Sequence, residues 1–302
     1  MIIEVDVGAK RIYKMKDISI ITPFYHGNHY LPSLLKNIEN AAKNISDREV
    51  EWVVVNDSPT ENIIPLTSKV KNLKITFYKN SSNVGIQKAR INGLKKAEGK
   101  YIMFLDQDDE ISDDALKIHL STIENADVSI TNGIEKNING KKELLFKSLT
   151  EMKILNDINY YFYLGNFIIS PGMTLIKRKS IPKEWIEKSL RINGADDWLL
   201  WIIMLEQKAK FNLSLKTTYV HNRNENSVSN SEKKMIDSTN EALEYFIECF
   251  PREKKLYKVG KKRLDFRKQL AVNKKNKYLL YIQHPHIAMY SLSKKIRQKG
   301  RS

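Results

Sequence analysis

From Asp17 to Thr131, short β-branched runs alternate with segments of helical period, and this rhythm constrains the fold more than any other feature. Strand–helix repeats of this kind pack as an open, mostly parallel sheet with helices on both faces, so an α/β, Rossmann-like architecture is expected. The strand-like runs are Asp17 to Pro23, Glu51 to Asn56, Leu73 to Tyr78, Tyr101 to Leu105 and Asp127 to Thr131. Between them, Leu31, Leu34, Leu35, Ile38, Ala42 and Ile45 mark one face of a helix, and a second helix runs from the Asn80–Gly85 turn to about Glu98, with Gly99 as its stop. A third is expected over Asp113–Glu124. Ligands of such sheets bind beyond the carboxyl ends of the strands. Thr22, Asp57 and the acidic run Asp106, Asp108 and Asp109 all lie at such ends, so the fold gathers residues far apart in sequence.

Beyond residue 131 the rhythm changes. Asn139-Gly140 between Ile134 and Phe146 predicts a hairpin. Residues 151–230 read as a mixed region with a helix over Trp198–Leu205 and a polar loop over Asn222–Asn230, and from Glu232 the chain reads as helical and basic. The net charge of +16 is concentrated there: Arg252 to Ser302 holds 17 Lys and Arg against Glu253 and Asp265, which leaves the body close to neutral. A neutral body with a basic end suits an anionic surface such as lipid headgroups or nucleic acid. At 302 residues the chain can bury a core without disulfides, and its one cysteine, Cys249, reads as a packed thiol in a reducing compartment. Charged residues interrupt the first fifteen positions, unlike a secretory leader, and the apolar runs fall well short of the roughly 20 residues of a membrane span. A cytoplasmic location is expected, with the inner face of the membrane as a peripheral station.

Three carboxylates within four residues repel one another unless a cation or hydrogen-bond donors offset them. Mg²⁺ or Mn²⁺ takes one or two protein carboxylates together with diphosphate oxygens, and Asp106-Gln107-Asp108 can supply that set. The structural alternative is an acidic loop capping the helix that follows. Asn83-Val84-Gly85 with Ala89-Arg90 puts amides and a guanidinium at a turn entering a helix, an arrangement that can hold an anion.

Ile18 to Phe24, Val54-Val55-Asn56-Asp57-Ser58, Asn83-Val84-Gly85 with Ala89-Arg90, and Phe104 to Asp109 together resemble family 2 glycosyltransferases of the GT-A fold. The resemblance implies inverting transfer from a nucleotide-sugar, most often UDP-linked. It implies Thr22 and Pro23 lining the nucleobase pocket, Asp57 accepting a hydrogen bond from the base, and Asn83, Gly85 and Arg90 near base and phosphates. Asp106 would touch ribose or metal, and Asp108 would ligate Mn²⁺ or Mg²⁺. Asn56-Asp57-Ser58-Pro59 departs from the family's usual two acidic residues before a Gly. Asp196-Asp197 before Trp198 resembles the family's acidic pair at a helix start, which implies Asp197 as general base and Asp196 as its positioning partner; an N-terminal cap fits the same residues. The loop from Tyr219 to Ser229 resembles one that closes over the donor. In it Arg223 would meet the diphosphate, and His221 reads either as a displaced metal ligand or as a hydrogen-bonded histidine.

The expected organisation is a GT-A domain over 1–231, with a nucleotide-sugar half over 17–131 and an acceptor half over 132–231, followed by a basic helical extension over 232–302. The expected acceptor is a glycan or lipid-linked glycan, and basic residues interleaved with Tyr278 to Ile282 and Ile287 to Tyr290 suit an anionic membrane interface. Two rival readings are a non-catalytic nucleotide-sugar-binding module and a nucleic-acid-binding protein. The second explains the basic end but leaves both acidic pairs without a role, so no nucleic acid partner is expected.

Overall fold

Strand β1 (Ile18–Phe24) is buried along its whole length, the behaviour of a central strand covered on both faces. The computed structural model describes residues 16–224, 230–272 and 277–299. From β1 the chain passes through α1 (Leu31–Lys43), β2 (Val50–Asn56), β3 (Leu73–Lys79), α2 (Ile86–Lys96), β4 (Tyr101–Phe104), β5 (Glu110–Ile111), α3 (Ala115–Thr122), β6 (Val128–Lys136) and β7 (Lys142–Leu144). Next come α4 (Leu149–Met152), α5 (Ile158–Tyr163), β8 (Thr174–Lys177), α6 (Lys183–Glu187), α7 (Asp196–Glu206) and β9 (Phe211–Asn222). Four helices close the chain: α8 (Glu232–Cys249), α9 (Lys254–Val272), α10 (Lys277–Gln283) and α11 (Pro285–Lys299).

The strands form a 9-stranded sheet in the order β3-β2-β1-β4-β8-β6-β9-β5, with β7 paired to β6. β3, β2, β1 and β4 run parallel, so their carboxyl ends share one edge. β8 is antiparallel to both β4 and β6, and β9 is parallel to β6. The expected open α/β sheet is therefore present, and antiparallel strands extend it beyond β4. Pro23 sits inside β1 rather than closing it, and the pairing explains how. β4 accompanies β1 only from Ile18 to Ile21, so the position without an N–H meets no partner on that side.

The predicted hairpin is β6–β7, with Ile134 opposite Leu144. β9 replaces what reads in sequence as an irregular region and the start of a polar loop. Its register against β6 shifts on both sides of Asn132, so the apolar–polar alternation of Phe211 to Lys216 does not run the length of the strand. The rest of the predicted polar loop, residues 225–229, lies outside the described residues. The end helices are not a loose appendage: Ile236, Ala242, Leu243, Phe246, Leu256 and Leu264 belong to the same apolar core as the sheet. The 231/232 division thus falls between elements that share one core.

Candidate active site

The carboxyl edge of the parallel strands carries Asp57 after β2 and Asp106 after β4. Asp57 is buried and spends its carboxylate on the next turn: Oδ1 accepts from Asn80 Nδ2 and the Val84 amide, and Oδ2 from the Gly85 amide, all at 2.9 Å. Ile86 donates its amide to Asn193 Oδ1 at 3.3 Å. The anion that the sequence suggests for this turn is thus, in part, the protein's own Asp57, and the Val84, Gly85 and Ile86 amides already have acceptors. Gly85 makes the turn possible, since its φ is +85° and a Cβ there would lie 2.7 Å from Asn193 Oδ1. Asn83 Oδ1 accepts from the Gly85 amide at 3.1 Å, so Asn83 shapes the turn from its exposed position.

Thr22 and Pro23 are buried in β1, and the Thr22 hydroxyl accepts from Trp52 Nε1 at 2.9 Å, so that hydroxyl faces the core rather than a ligand. Gln107 ties the two strand ends together. Its side chain accepts from the Tyr25 amide at 3.0 Å and donates to the Tyr25 carbonyl at 2.9 Å.

Arg90 joins Asp106, at the carboxyl edge of the sheet, to the second acidic pair. Its Nη2 lies 2.5 Å from Asp106 Oδ1 and its Nη1 2.7 Å from Asp196 Oδ2, with only 3% of the Arg90 side chain exposed. Burial works against the charged guanidinium, but Asp106 and Asp196 outweigh it and raise its pKa above the ordinary value. This bridge brings the first turn of α7 to the carboxyl edge of the sheet. Gln87 on α2 reinforces it, donating to the carbonyls of Trp185 and Lys188 and accepting from the Leu190 amide. Gln87 is a residue sequence reasoning missed, because a polar residue in a helix carries no mark of burial.

Asp197 is held by two donors. Trp198 N donates to Oδ1 at 2.6 Å and Asn166 Nδ2 to Oδ2 at 2.8 Å. Burial, and then repulsion from Asp196, hold its pKa well above the usual carboxylate range. A carboxylate of this kind binds a proton readily yet keeps hydrogen bonds that fix its direction. Asn166 precedes the Phe167–Thr174 segment, whose Ile168 and Met173 are core residues.

On the other side of Asp106, Asp108 and Asp109 part company. Asp109 is interior and does not cap a helix: it accepts from the Tyr219 hydroxyl, from the Asn222 amide at 3.1 Å, and pairs with His221 Nδ1 at 3.1 Å. Asp114, at the start of α3, makes no side-chain cap bond, so the capping explanation of the acidic run fails. Asp108 is partly buried and accepts from Asn224 Nδ2 at 2.6 Å. Burial, then Asp109 and Asp106, push its pKa up to about 7. The contact of Tyr219 with Asp109 could not be read without knowing that β9 pairs with β5. Arg223 pairs with Glu135 near the end of β6, its Nε 2.6 Å from Glu135 Oε1 and just over half its side chain exposed.

Among the described residues no group of three or more His, Cys, Asp or Glu is disposed to hold a metal ion by itself. Asp108 nevertheless fits a hard divalent cation. It is a carboxylate in a field of other carboxylates, and such ions commonly complete their shell with diphosphate oxygens.

Residues 19–185, more than half of the chain, match the family model described as Glycosyl transferase family 2. The chain belongs to that family. Within it, the chain is 29% identical over 238 residues to the UDP-Glc:alpha-D-GlcNAc-diphosphoundecaprenol beta-1,3-glucosyltransferase WfaP of Escherichia coli, covering 75% of this chain and 85% of that protein. It is 30% identical over 148 residues to the poly(ribitol-phosphate) beta-N-acetylglucosaminyltransferase TarS of Staphylococcus aureus, covering 47% of this chain and 25% of that protein. An uncharacterized glycosyltransferase of Rickettsia bellii is 25% identical over 232 residues, 72% of this chain and 31% of its own length. The chain thus spans about a quarter to a third of the S. aureus and Rickettsia relatives. The crystal structure of S. aureus TarS 1-349 in complex with UDP-GlcNAc has the same fold, with a TM-score of 0.59 at 20% identity, covering 93% of this chain and 81% of that one.

Proposed function

We propose that the chain transfers a sugar from a UDP-linked donor to a hydroxyl of a glycan or lipid-linked glycan, with inversion at the anomeric carbon. The observation that carries this reading is the Asp106–Arg90–Asp196 bridge, which joins the donor side of the sheet to the helix that presents Asp197. Two of the relatives support it by name: one uses UDP-Glc, and the other is an N-acetylglucosaminyltransferase whose structure is known with UDP-GlcNAc.

In this reading Asp57, with an acceptor site left on its carboxylate, receives a hydrogen bond from the nucleobase above Thr22 and Pro23. Asn83 and Gly85 shape that side of the pocket, and Arg90 fixes Asp106 beside the ribose. Asp197 takes the proton of the acceptor hydroxyl as its oxygen attacks the anomeric carbon from the face opposite the diphosphate. Asp196 stays paired with Arg90 and holds α7 in place. Asp108, with Asp106 beside it, holds Mn²⁺ or Mg²⁺, and the chemistry such an ion supplies when bound is neutralisation of charge on the departing diphosphate. His221 takes its place through Asp109: with Nδ1 engaged there, Nε2 is the ring nitrogen that would face the metal. Arg223 reaches the donor only by leaving Glu135.

The last two helices expose Ile282, Met289 and Leu292 on a stretch flanked in sequence by Lys277 on one side and by Lys294, Lys295, Arg297 and Lys299 on the other. This combination suits the surface of an anionic leaflet that presents a lipid-linked acceptor. No helix among the described residues is long and apolar enough to cross a membrane. The test of the function is calorimetric titration of the full chain with UDP-GlcNAc, UDP-glucose and UDP-galactose in the presence of Mn²⁺. Binding of at least one, weakened by Asp108→Ala, is expected; no binding of any nucleotide-sugar would remove the reading.

A further inference from the structure

Arg263 lies in the basic tail by sequence, yet it is 4% exposed, with a lowered pKa. Its guanidinium sits 5.0 Å from the centre of the Trp198 ring, and its Nη1 donates to the Tyr161 carbonyl at 3.0 Å. Trp198 Nε1 donates to the same carbonyl at 3.2 Å. No carboxylate pairs with Arg263 among the described residues, and its Nε has no partner. Taking a guanidinium out of water without a counter-ion is costly, and an apolar side chain of similar length would fill the same volume more cheaply. The position therefore calls for something that only a planar cation provides.

The neighbours show what that is. The two donors that hold Asp197 are the Trp198 amide and the Asn166 side chain. Arg263 stacks on Trp198 itself and presses on Gly165, the residue before Asn166. A Cβ at Gly165 would stand 2.7 Å from Arg263 Nη1, and the φ of +113° there is one that L side chains rarely adopt. The guanidinium is thus wedged between the two short segments that grip the two oxygens of Asp197.

We infer that Arg263, delivered by helix α9 from the C-terminal part of the chain, is the positioning residue that sets the direction of the Asp197 carboxylate. It touches neither donor nor acceptor and acts through Trp198 and Asn166. A lysine keeps the charge but loses the flat face that stacks on the indole and the fork that reaches Tyr161, so Arg263→Lys separates position from charge. The inference rests on Asp197 as the base, and its test is built so that the two ideas fail separately.

The first measurement needs no substrate: melting of the full chain against pH, for wild type, Arg263→Lys, Asp197→Asn and the double variant. The charged groups acting on Asp197 are Asp196, Arg90 and Asp106, with the Tyr161 phenol beside it, and Arg263→Lys changes none of them. A carboxylate whose folded pKa is raised favours the native state while protonated. The stability it gives is lost as pH climbs from the unfolded value through the folded one. The Trp198 amide pulls the Asp197 pKa down. Loosening that bond extends the loss of stability to higher pH in Arg263→Lys, and the extension is absent when Asp197 is Asn. An equal effect of Arg263→Lys with and without Asp197, or none, would overturn the inference.

The second measurement is UDP release with UDP-GlcNAc and UDP-glucose. Arg263→Lys is expected to lower kcat about tenfold with the donor KM within about twofold, whereas the exposed Lys258→Ala on the same helix leaves both unchanged. Turnover in Asp197→Asn close to wild type would reject the base and leave the melting result to judge Arg263. A dead Asp197→Asn beside an unimpaired Arg263→Lys would reject Arg263 alone. Should Arg263→Lys melt too early to assay, Arg263→Gln, too short to stack on Trp198 and reach the Tyr161 carbonyl together, is read in the same way.

Discussion

At the scale of single residues, the site is organised by carboxylates that do different things in similar surroundings. Asp57 accepts from Asn80, Val84 and Gly85 and keeps room for one more donor, Asp106 is tied to Arg90, Asp109 is locked to Tyr219 and His221, and Asp108 accepts from Asn224 beside two acidic neighbours. Asp108 is thus a place where the protein gives up stability. Because its folded pKa is raised to about 7 from 3.8, it destabilises the native state increasingly as pH rises across that window. Asp108→Asn keeps the acceptor for Asn224 and removes the charge. In metal-free buffer it should melt above wild type at pH 8, by up to a few kcal/mol, with the gap closing toward pH 4. A constant gap across pH would show that the carboxylate is not strained. The sequence made Asp106 and Asp108 legible, because a DxD after an apolar run is a local pattern. The division of labour between Asp108 and Asp109 was not, because it depends on Asn222 and His221, more than a hundred residues away.

At the scale of elements, the α2 turn and strand β9 decide how the edge of the sheet is furnished. The turn was readable from Asn83 and Gly85, but what it binds was not: the acceptors are Asp57 and Asn193, and only the fold brings them there. Gly85→Ala forces a side chain into a left-handed backbone and against Asn193. A loss of about 1–2 kcal/mol of stability is expected from the backbone alone, with weaker UDP binding by calorimetry. Unchanged stability and affinity would mean that the turn has another way to relax. β9 was half legible: Phe211, Leu213 and Leu215 alternate with Asn212, Ser214 and Lys216 as a strand should, but Thr217 and Thr218 break the alternation where the register against β6 shifts. Helix α7 was the opposite case. Its two leading aspartates and the apolar run behind them announce both a helix start and a chemical pair, and the structure adds Arg90 and Asn166 as their partners.

At the scale of the molecule, the chain reads in sequence as a neutral body with a basic end, and the fold divides that end differently. α8 and α9 complete the core and deliver Arg263, while exposed apolar residues gather on α10 and α11. A chain ending at residue 231 would uncover the surfaces that Leu243, Phe246 and Leu264 fill, at roughly 1.5–3 kcal/mol for each large apolar side chain left unburied. It should therefore fail to give a soluble species with a cooperative melt. A truncated chain that melts cooperatively would make the end a separable unit. Flotation of the full chain with anionic vesicles, but not with neutral ones, and its loss at high salt, is expected of the outer helices; binding indifferent to lipid charge would contradict it. On the proposed reading, the two acidic pairs brought together by Arg90 form one transfer site with Asp197 as its base. It is tested most directly by UDP release and sugar transfer in Asp197→Asn with Mn²⁺ and the bound UDP-sugar. A fall in kcat of about 10²–10⁴ with donor binding retained is expected; transfer at the wild-type rate would rule out Asp197 as the base.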